Sequence, residues 1–490
     1  MSVLLCARHW LLFLTCIVSI TTTRTSFAEK ESTTAPPNII MIFADDVSWN
    51  DIGCYGNPKI RTPHLDRLAR EGLRFENAYL TTSSCSPSRC SVITGRYPHN
   101  TGAPELHTPL PEGQVLFPQL LRDAGYYTVI SGKQHMGKYA LTGFDHVSKG
   151  KGPGKEADWV PILKKRPKNK PFFCWFASAD AHRAWQASKE YQPHQPDEVV
   201  VPPYLIDAPE TRRDLAQYYD EISRIDFFTG EILDELDRQG IADNTLVLFF
   251  ADNGRPFPRC KTRLYDSGIK TPMLVRWPAV VKPGTVTQSL VSSIDIGPTF
   301  LELAGAKLDP QIQGVSFQKI LKHPETKVRD YAFAEHNWHV FKAHERMVRN
   351  GDWLYIRNAW PEQRNLCVES LEFPSGEVLW KRFEDDKLNE FQQDVFLKPR
   401  PVEELYLVSK DPYQFQNLAT KPEYAAELSR LRNVLDQWTE ETGDTVPNKP
   451  TLDRNQRPGG PVPAEFQHRE MPGDAKQAHK INLPGPVLAP

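Results

Sequence analysis

The chain contains no Cys-x-x-Cys pair. Its eight cysteines are scattered, so the ligand spacing of a structural zinc site is missing. It has no apolar run approaching the about 20 residues that a membrane-spanning helix needs. No internal repeat is visible. It also lacks charge of one dominant sign: 59 Lys and Arg stand against 61 Asp and Glu, a formal net charge of −2. That balance argues against a dedicated nucleic-acid binder. The one basic stretch, Lys164–Lys170, reads as a solvated loop before a strand, or as a rim contact for a polyanion.

What is present is ordinary globular composition over 490 residues, 40% hydrophobic and 24% charged. This is enough for one large domain and a smaller one. Arg8 and His9 precede the apolar run Trp10–Ile20, and Ser26-Phe27-Ala28 offers a small-x-small cleavage site. Residues 1–28 therefore read as a secretory signal peptide, which predicts a secreted or periplasmic protein with no membrane span. Export permits disulfides among the remaining six cysteines, but their pairing is not readable from spacing.

The next segment, "NIIMIFADD" (38–46), is apolar on both faces and ends in two aspartates. It predicts a buried parallel strand. Thr62-Pro63 is a helix start signal, with Leu65, Leu68 and Ala69 at helical spacing. Strand and helix patterns then alternate. "YYTVISGK", "PFFCWFASADAH" and "TLVLFFADNG" read as strands, and residues 211–240 as one or two amphipathic helices closed by Gly240. The order predicts an α/β catalytic domain over 36–330, a mostly parallel sheet with helices on both faces. Short strand-and-turn pieces and a late helix over 331–444 predict a smaller α+β subdomain. Residues 445–490 are rich in Pro, Gly and charge without apolar period and read as an extended or disordered tail that can lie over the surface.

In open α/β sheets ligands gather at the carboxyl ends of strands. Four such ends carry polar sets: Asp45-Asp46, Asp252-Asn253, Lys133 with His135, and Asp180 with His182. Either Asp/Asn pair alone reads as a turn or helix cap. Both pairs, each closing a strongly apolar strand, favour a hard divalent cation, calcium or magnesium, over zinc. Lys133, Lys261 and Arg89 add positive charge, a set suited to sulfate or phosphate. Cys85 opens "CSPSRCSVITG", which can begin a helix ending at Gly95. A helix N-terminus favours anions and lowers a thiol's pKa, so a thiolate nucleophile and a modified residue both stay open.

"CSPSRCSVITG" resembles the signature of the type I sulfatases, Cys-x-Pro-Ser-Arg-x-x-x-x-Thr-Gly. The resemblance extends from "NIIMIFADD" to the late helix and implies an alkaline-phosphatase-like fold. It implies that Cys85 is oxidised to formylglycine by a maturing enzyme that reads Pro87 and Arg89. It further implies one calcium held by Asp45, Asp46, Asp252 and Asn253 with residue 85, and sulfate bound by Lys133 and Lys261. Arg89 would support the formylglycine, His135 would assist turnover of the hemiacetal sulfate, and His182 would protonate the leaving group. "DNGRPFPRCKTRLYDSG" is similar to the heparan N-sulfatase (sulfamidase) group, which implies sulfated sugars as substrates. Lys261 departs from the arginine of the lysosomal member, which puts N-sulfate specificity in doubt but not catalysis. His107, Arg183, His336 and His339 are candidate sugar contacts. Two alternatives stand beside this reading: a phosphonate or phosphodiester hydrolase of the same fold, and a non-catalytic glycan-binding relative.

Overall fold

Three apolar runs of equal length, 39–44, 172–177 and 246–251, lie side by side at the centre of one sheet. The structure is a computed structural model, and it describes residues 35–454 and 467–488. The signal-peptide reading of 1–28 lies outside the described residues. Strands β1 (Asn38–Ala44), β2 (Leu73–Tyr79), β3 (Tyr127–Gly132), β4 (His146–Ser148), β5 (Phe172–Ala177), β6 (Thr245–Ala251), β7 (Met273–Arg276) and β8 (Thr285–Ser292) form an eight-stranded sheet. Its order is β4-β3-β5-β1-β6-β7-β2-β8, parallel throughout except for β7. Strands buried on both faces need no polar alternation, which is why β1, β5 and β6 are continuous apolar runs.

The period-2 geometry of β1 sends Ile39, Met41 and Phe43 to one face and Ile40, Ile42 and Ala44 to the other. Helices α1 (Pro63–Arg70) and α3 (Pro209–Arg238) cover the second face. Helices α2 (Cys85–Thr94) and α4 (Ile296–Leu303) cover the first. The predicted α/β class holds, and residues 211–238 form part of one unbroken 30-residue helix. A second sheet, β9 (Ala332–His336), β10 (Glu345–Asn350), β11 (Trp353–Asn358) and β12 (Glu403–Leu407), is antiparallel in the order β12-β11-β10-β9. Helix α5 (Ala425–Thr442) packs on it through Leu428, Leu431, Leu435 and Trp438.

One local expectation needs correction. Thr62 does not cap α1 with its side chain. Its hydroxyl instead accepts from the Gly53 N–H and donates to Asp66. The free N–H groups of His64 and Leu65 are satisfied by Asp226 of α3, at 2.9 and 2.7 Å. "DPYQFQNLA" (411–419) makes turns and no strand. None of the six described cysteines is paired with another.

The described part of the C-terminal segment is extended and packed. Fully buried Arg96 donates to five acceptors: Asn100 O, Gln311 O, His479 O, Ile481 O and Asn482 Oδ1. Three of these belong to the segment 467–488. Among the described residues no helix is long and apolar enough to cross a membrane.

Removing one buried guanidinium strands several carbonyls at once. Arg96→Met is expected to cost on the order of 3 kcal/mol and to expose the 467–488 segment to protease before the body unfolds. Thermal denaturation with limited proteolysis and mass spectrometry checks both effects.

Candidate active site

The parallel pairing of β1 with β6 aligns Ala44 with Ala251. The residues that follow are therefore neighbours: Asp45 and Asp46 beside Asp252 and Asn253. The Asp46 N–H donates to Asp252 Oδ1 at 3.1 Å. Asp46 has φ 58°, a left-handed conformation that Asp tolerates better than most residues. All four side chains are fully buried.

Helix α2 begins at Cys85 and ends on left-handed Gly95, φ 66°, as its sequence predicts. All ten of its residues are buried. Ligand atoms of Asp45, Asp46 and Cys85 lie within 4.8 Å of one another. One turn along, Arg89 donates through Nε to Asp252 Oδ2 at 2.8 Å and through Nη1 to the Lys133 carbonyl at 3.1 Å. Its guanidinium lies 4.6 Å over the Phe43 ring. Lys133, just past β3, pairs with Asp45. Lys261, from the loop after β6, pairs with Asp46 at 2.8 Å and approaches Glu369 at 3.7 Å.

Three buried carboxylates thus face three cations. Burial pushes Asp46 up to about 6 and Asp252 up to about 7, with Asp45 adding to both. Burial also raises Asp45, but Lys133 and Arg89 outweigh it and hold Asp45 far below the usual carboxylate range. The three cations match the three carboxylates in number, and burial is the main reason that Asp46 and Asp252 stand high. Asp45 Oδ1 and Asn253 Oδ1 are buried without a hydrogen-bond partner. Unpartnered oxygens in an all-oxygen donor set fit a hard divalent cation.

Burial works against the thiolate reading of Cys85. Burial pushes its thiol up to about 12, against the opposing pull of Lys133 and Lys261. A position at a helix N-terminus is not enough when the sulfur is out of water.

A cleft of 490 Å³ opens beside the cluster, lined by Asp45, Lys133, His135, His107, His182 and Arg183 among others. His107 Nδ1 and His135 Nε2 are 2.8 Å apart, and the His107 N–H donates to Ser86 Oγ at 2.8 Å. Burial, then Lys133 and His107, holds His135 down to about 2. His182 Nδ1 is hydrogen-bonded to the Arg183 carbonyl. A carbonyl only accepts, so Nδ1 carries the proton and Nε2 is the nitrogen left for chemistry. Burial, then Lys261 and Lys133, lowers His182 to about 4. An anion that neutralised those lysines would raise it again.

The four proposed sugar contacts part company here. His107 lines the cleft. Arg183 lines it too, but its guanidinium is committed to Asp214 at 2.6 and 2.8 Å and stacks on Trp185, Phe257 and Phe373. His339 and His336 do not line it. His339 Nδ1 meets Ser84 Oγ at 2.6 Å, and His336 is turned to Glu345 at 2.9 Å. Sequence reading missed Glu369 beside Lys261, and the group Asp214, Glu221 and Arg224. The signal for that group was charge inside the buried stripe of α3, between Leu215, Ile222 and Ile225.

Residues 37–160 and 155–306 match the Sulfatase family. Residues 260–359 match the family described as N-sulphoglucosamine sulphohydrolase, C-terminal. The chain is 31% identical over 470 residues to N-sulphoglucosamine sulphohydrolase of Homo sapiens, covering 84% of this chain and 91% of that one. It is 31% identical over 465 residues to an ulvan-active sulfatase of Formosa agariphila, with 83% and 75% covered. Its fold is that of a structure solved with its substrate D-glucosamine-2-N,6-O-disulfate (TM-score 0.63, 20% identity, 83% and 98% covered). A 2-O GAG sulfatase gives TM-score 0.63 at 21% identity, with 83% and 92% covered. Matches across most of the chain, on an alkaline-phosphatase-like α/β fold, show that the chain belongs to the sulfatase family, with the C-terminal region of the N-sulphoglucosamine sulphohydrolase group.

Proposed function

We propose that this sulfatase removes sulfate from sulfated carbohydrate, glycosaminoglycan-like in class, using one calcium ion and a formylglycine derived from Cys85. The observation that carries the reading is the convergence of Asp45, Asp46, Asp252, Asn253 and Cys85 with Lys133 and Lys261 in one buried cluster, whose Asp45 and Lys133 line the cleft beside it. Asp45, Asp46, Asp252 and Asn253 would hold the ion, and magnesium is the alternative occupant. When bound, the ion supplies positive charge to the sulfate oxygens. A hydrated formylglycine supplies two hydroxyls on one carbon, one to attack sulfur and one whose ionisation releases the product.

The chain's own residues do the rest. Arg89 neutralises Asp252 and steadies the first turn of α2. Lys133 and Lys261, now bonded to the carboxylates, are within reach of an anion that shares the site and would stabilise charge on it. His135, which lines the cleft and bonds His107, would assist turnover of the hemiacetal sulfate. His182 would deliver a proton from Nε2 to the leaving oxygen or nitrogen.

The C-terminal match and the human relative support a sulfated amino sugar, with N- and O-sulfate both open. Secretion or export to a periplasm, through residues 1–28, and maturation by an enzyme that oxidises Cys85 complete the reading. The test is sulfate release from a panel of defined sulfated mono- and oligosaccharides that includes N-sulfoglucosamine. Phosphate release from matched esters far above sulfate release would refute the assignment. Binding of the panel without turnover by fully matured protein would favour a glycan-binding role.

Cys85→Ala is expected to lower kcat/KM by about 10⁴-fold or more, the scale of nucleophile deletion, with thermal stability nearly unchanged. Peptide mass spectrometry of active protein should show an aldehyde, not a thiol, at position 85. Strong chelation should abolish turnover and lower Tm, and added calcium should restore both. A free-ion concentration about a hundredfold above Kd corresponds to ~2.7 kcal/mol of native-state stabilisation, readable by calorimetry.

A further inference from the structure

The loop after β5 carries His182 into the cleft. Its backbone is tied to the end of β1, where the Ala181 N–H donates to the Asp45 carbonyl at 2.5 Å and the Asp45 N–H to the Asp180 carbonyl at 2.7 Å, and Arg183 Nε donates to the Pro256 carbonyl at 3.1 Å. Its side chains are held by α3. Near its start, Asp180 receives two bonds from Arg224, at 2.6 and 2.7 Å. Six residues on, Gln186 is gripped twice. Arg224 Nη1 donates to the Gln186 carbonyl at 2.7 Å, and the Gln186 N–H donates to Glu221 Oε1 at 2.7 Å. Between them, Arg183 and Trp185 Nε1 both bind Asp214. Glu221 also pairs with Arg224 at 2.9 Å. Asp214, Glu221 and Arg224 are all buried, and all lie on α3. Spacings of seven and ten residues put them on one face of the helix, spread over about 15 Å of its axis.

We propose that this face of α3 is a clamp that sets the position of His182, so that Arg224 and Asp214 are positioning residues for proton delivery to the leaving group. The proposal rests on the reading of His182 as the proton donor. Its geometry is specific. The bonds bracket the loop at residues 180, 183, 185 and 186 and leave His182 Nε2 unclaimed, while His182 Nδ1 is fixed by the Arg183 carbonyl. Arg183 is thereby a strut rather than a sugar contact. Its guanidinium holds Asp214 while its carbonyl orients the imidazole. A planar five-donor guanidinium is needed at 224 because one side chain must reach Asp180, Glu221 and the Gln186 carbonyl together.

A purely structural ion pair and a positioning clamp differ in one readout. Loss of the donor's placement harms substrates whose leaving group needs a proton and largely spares those whose leaving group departs as a stable anion. Matured enzyme is assayed on 4-nitrophenyl sulfate, phenyl sulfate and glucosamine N-sulfate. His182→Ala should raise the ratio of 4-nitrophenyl to phenyl sulfate kcat/KM by about 10²-fold or more, the share general acid catalysis supplies. Arg224→Lys, which keeps the charge but loses the fork, and Asp214→Asn should each raise that ratio about 10-fold to 10²-fold. That is the cost of misplacing a group by about 1 Å. In the His182→Ala background Arg224→Lys should leave the ratio where it is, because the two act through one proton. Glucosamine N-sulfate should follow phenyl sulfate. The proposal is overturned if folded Arg224→Lys and Asp214→Asn enzymes lose all three activities equally, or if Arg224→Lys still shifts the ratio without His182. A ratio unchanged by His182→Ala itself overturns the donor assignment beneath it.

Discussion

Everything at the centre of this protein follows from burying three carboxylates at the carboxyl ends of two adjacent parallel strands. Removing a charge from water costs several kcal/mol even after relaxation. The cost is tolerable only where opposite charge arrives with good geometry. Arg89, Lys133 and Lys261 supply it from three separate elements. The arrangement depends on register. A one-residue slip between β1 and β6 would turn Asp45 and Asp252 away from each other and send the alternate apolar set to the wrong face. The apolar runs that stabilise the sheet therefore also fix the cluster, including the unpartnered oxygens of Asp45 and Asn253.

The same constraint explains what was readable from sequence. Apolar strands that stop at Asp45 and Asp252 announce themselves, because only a strand end can bring a carboxylate next to a buried run. Helix α2 was legible from Pro87 and Gly95, which are local signals. The thiol state of Cys85 was not, because burial is set by residues far along the chain and outweighs the local helix terminus. Thr62 failed as a cap for the same kind of reason. Asp226, more than 160 residues away, occupies the position its hydroxyl was expected to fill. His336 looked like its neighbour His339 in sequence, but alternation along and beyond β9 sends the two to different partners. Local patterns give elements and their ends; partners across the fold decide charge states and directions.

The long helix α3 shows how one element serves both tasks. Its apolar stripe of Leu215, Ile222, Ile225, Ile232 and Leu236 covers one face of the sheet. Charged residues within the same buried face reach the loop after β5 and the start of α1. A helix packed so firmly cannot shift without carrying those anchors with it. Rigidity of the core is thus transmitted to a side chain that must be placed within a fraction of an ångström.

Outside the cluster, the cleft is built differently. Glu105, two residues before His107, is held by Thr451 at 2.6 Å and His468 at 2.7 Å, both from beyond α5. The Leu106 N–H donates to the Trp338 carbonyl at 3.2 Å. The rim that carries His107 therefore leans on the second sheet and on the C-terminal segment, not on the strand ends. Substitution at the strand ends breaks a buried ion pair and threatens the fold. Substitution at Glu105 breaks a second buried network, one that ties the rim to the C-terminal segment. On the proposed function, chemistry and sugar choice consequently rest on different supports: the reaction on Asp45, Asp46, Asp252 and the helix that starts at Cys85, the sugar on the loops around His107.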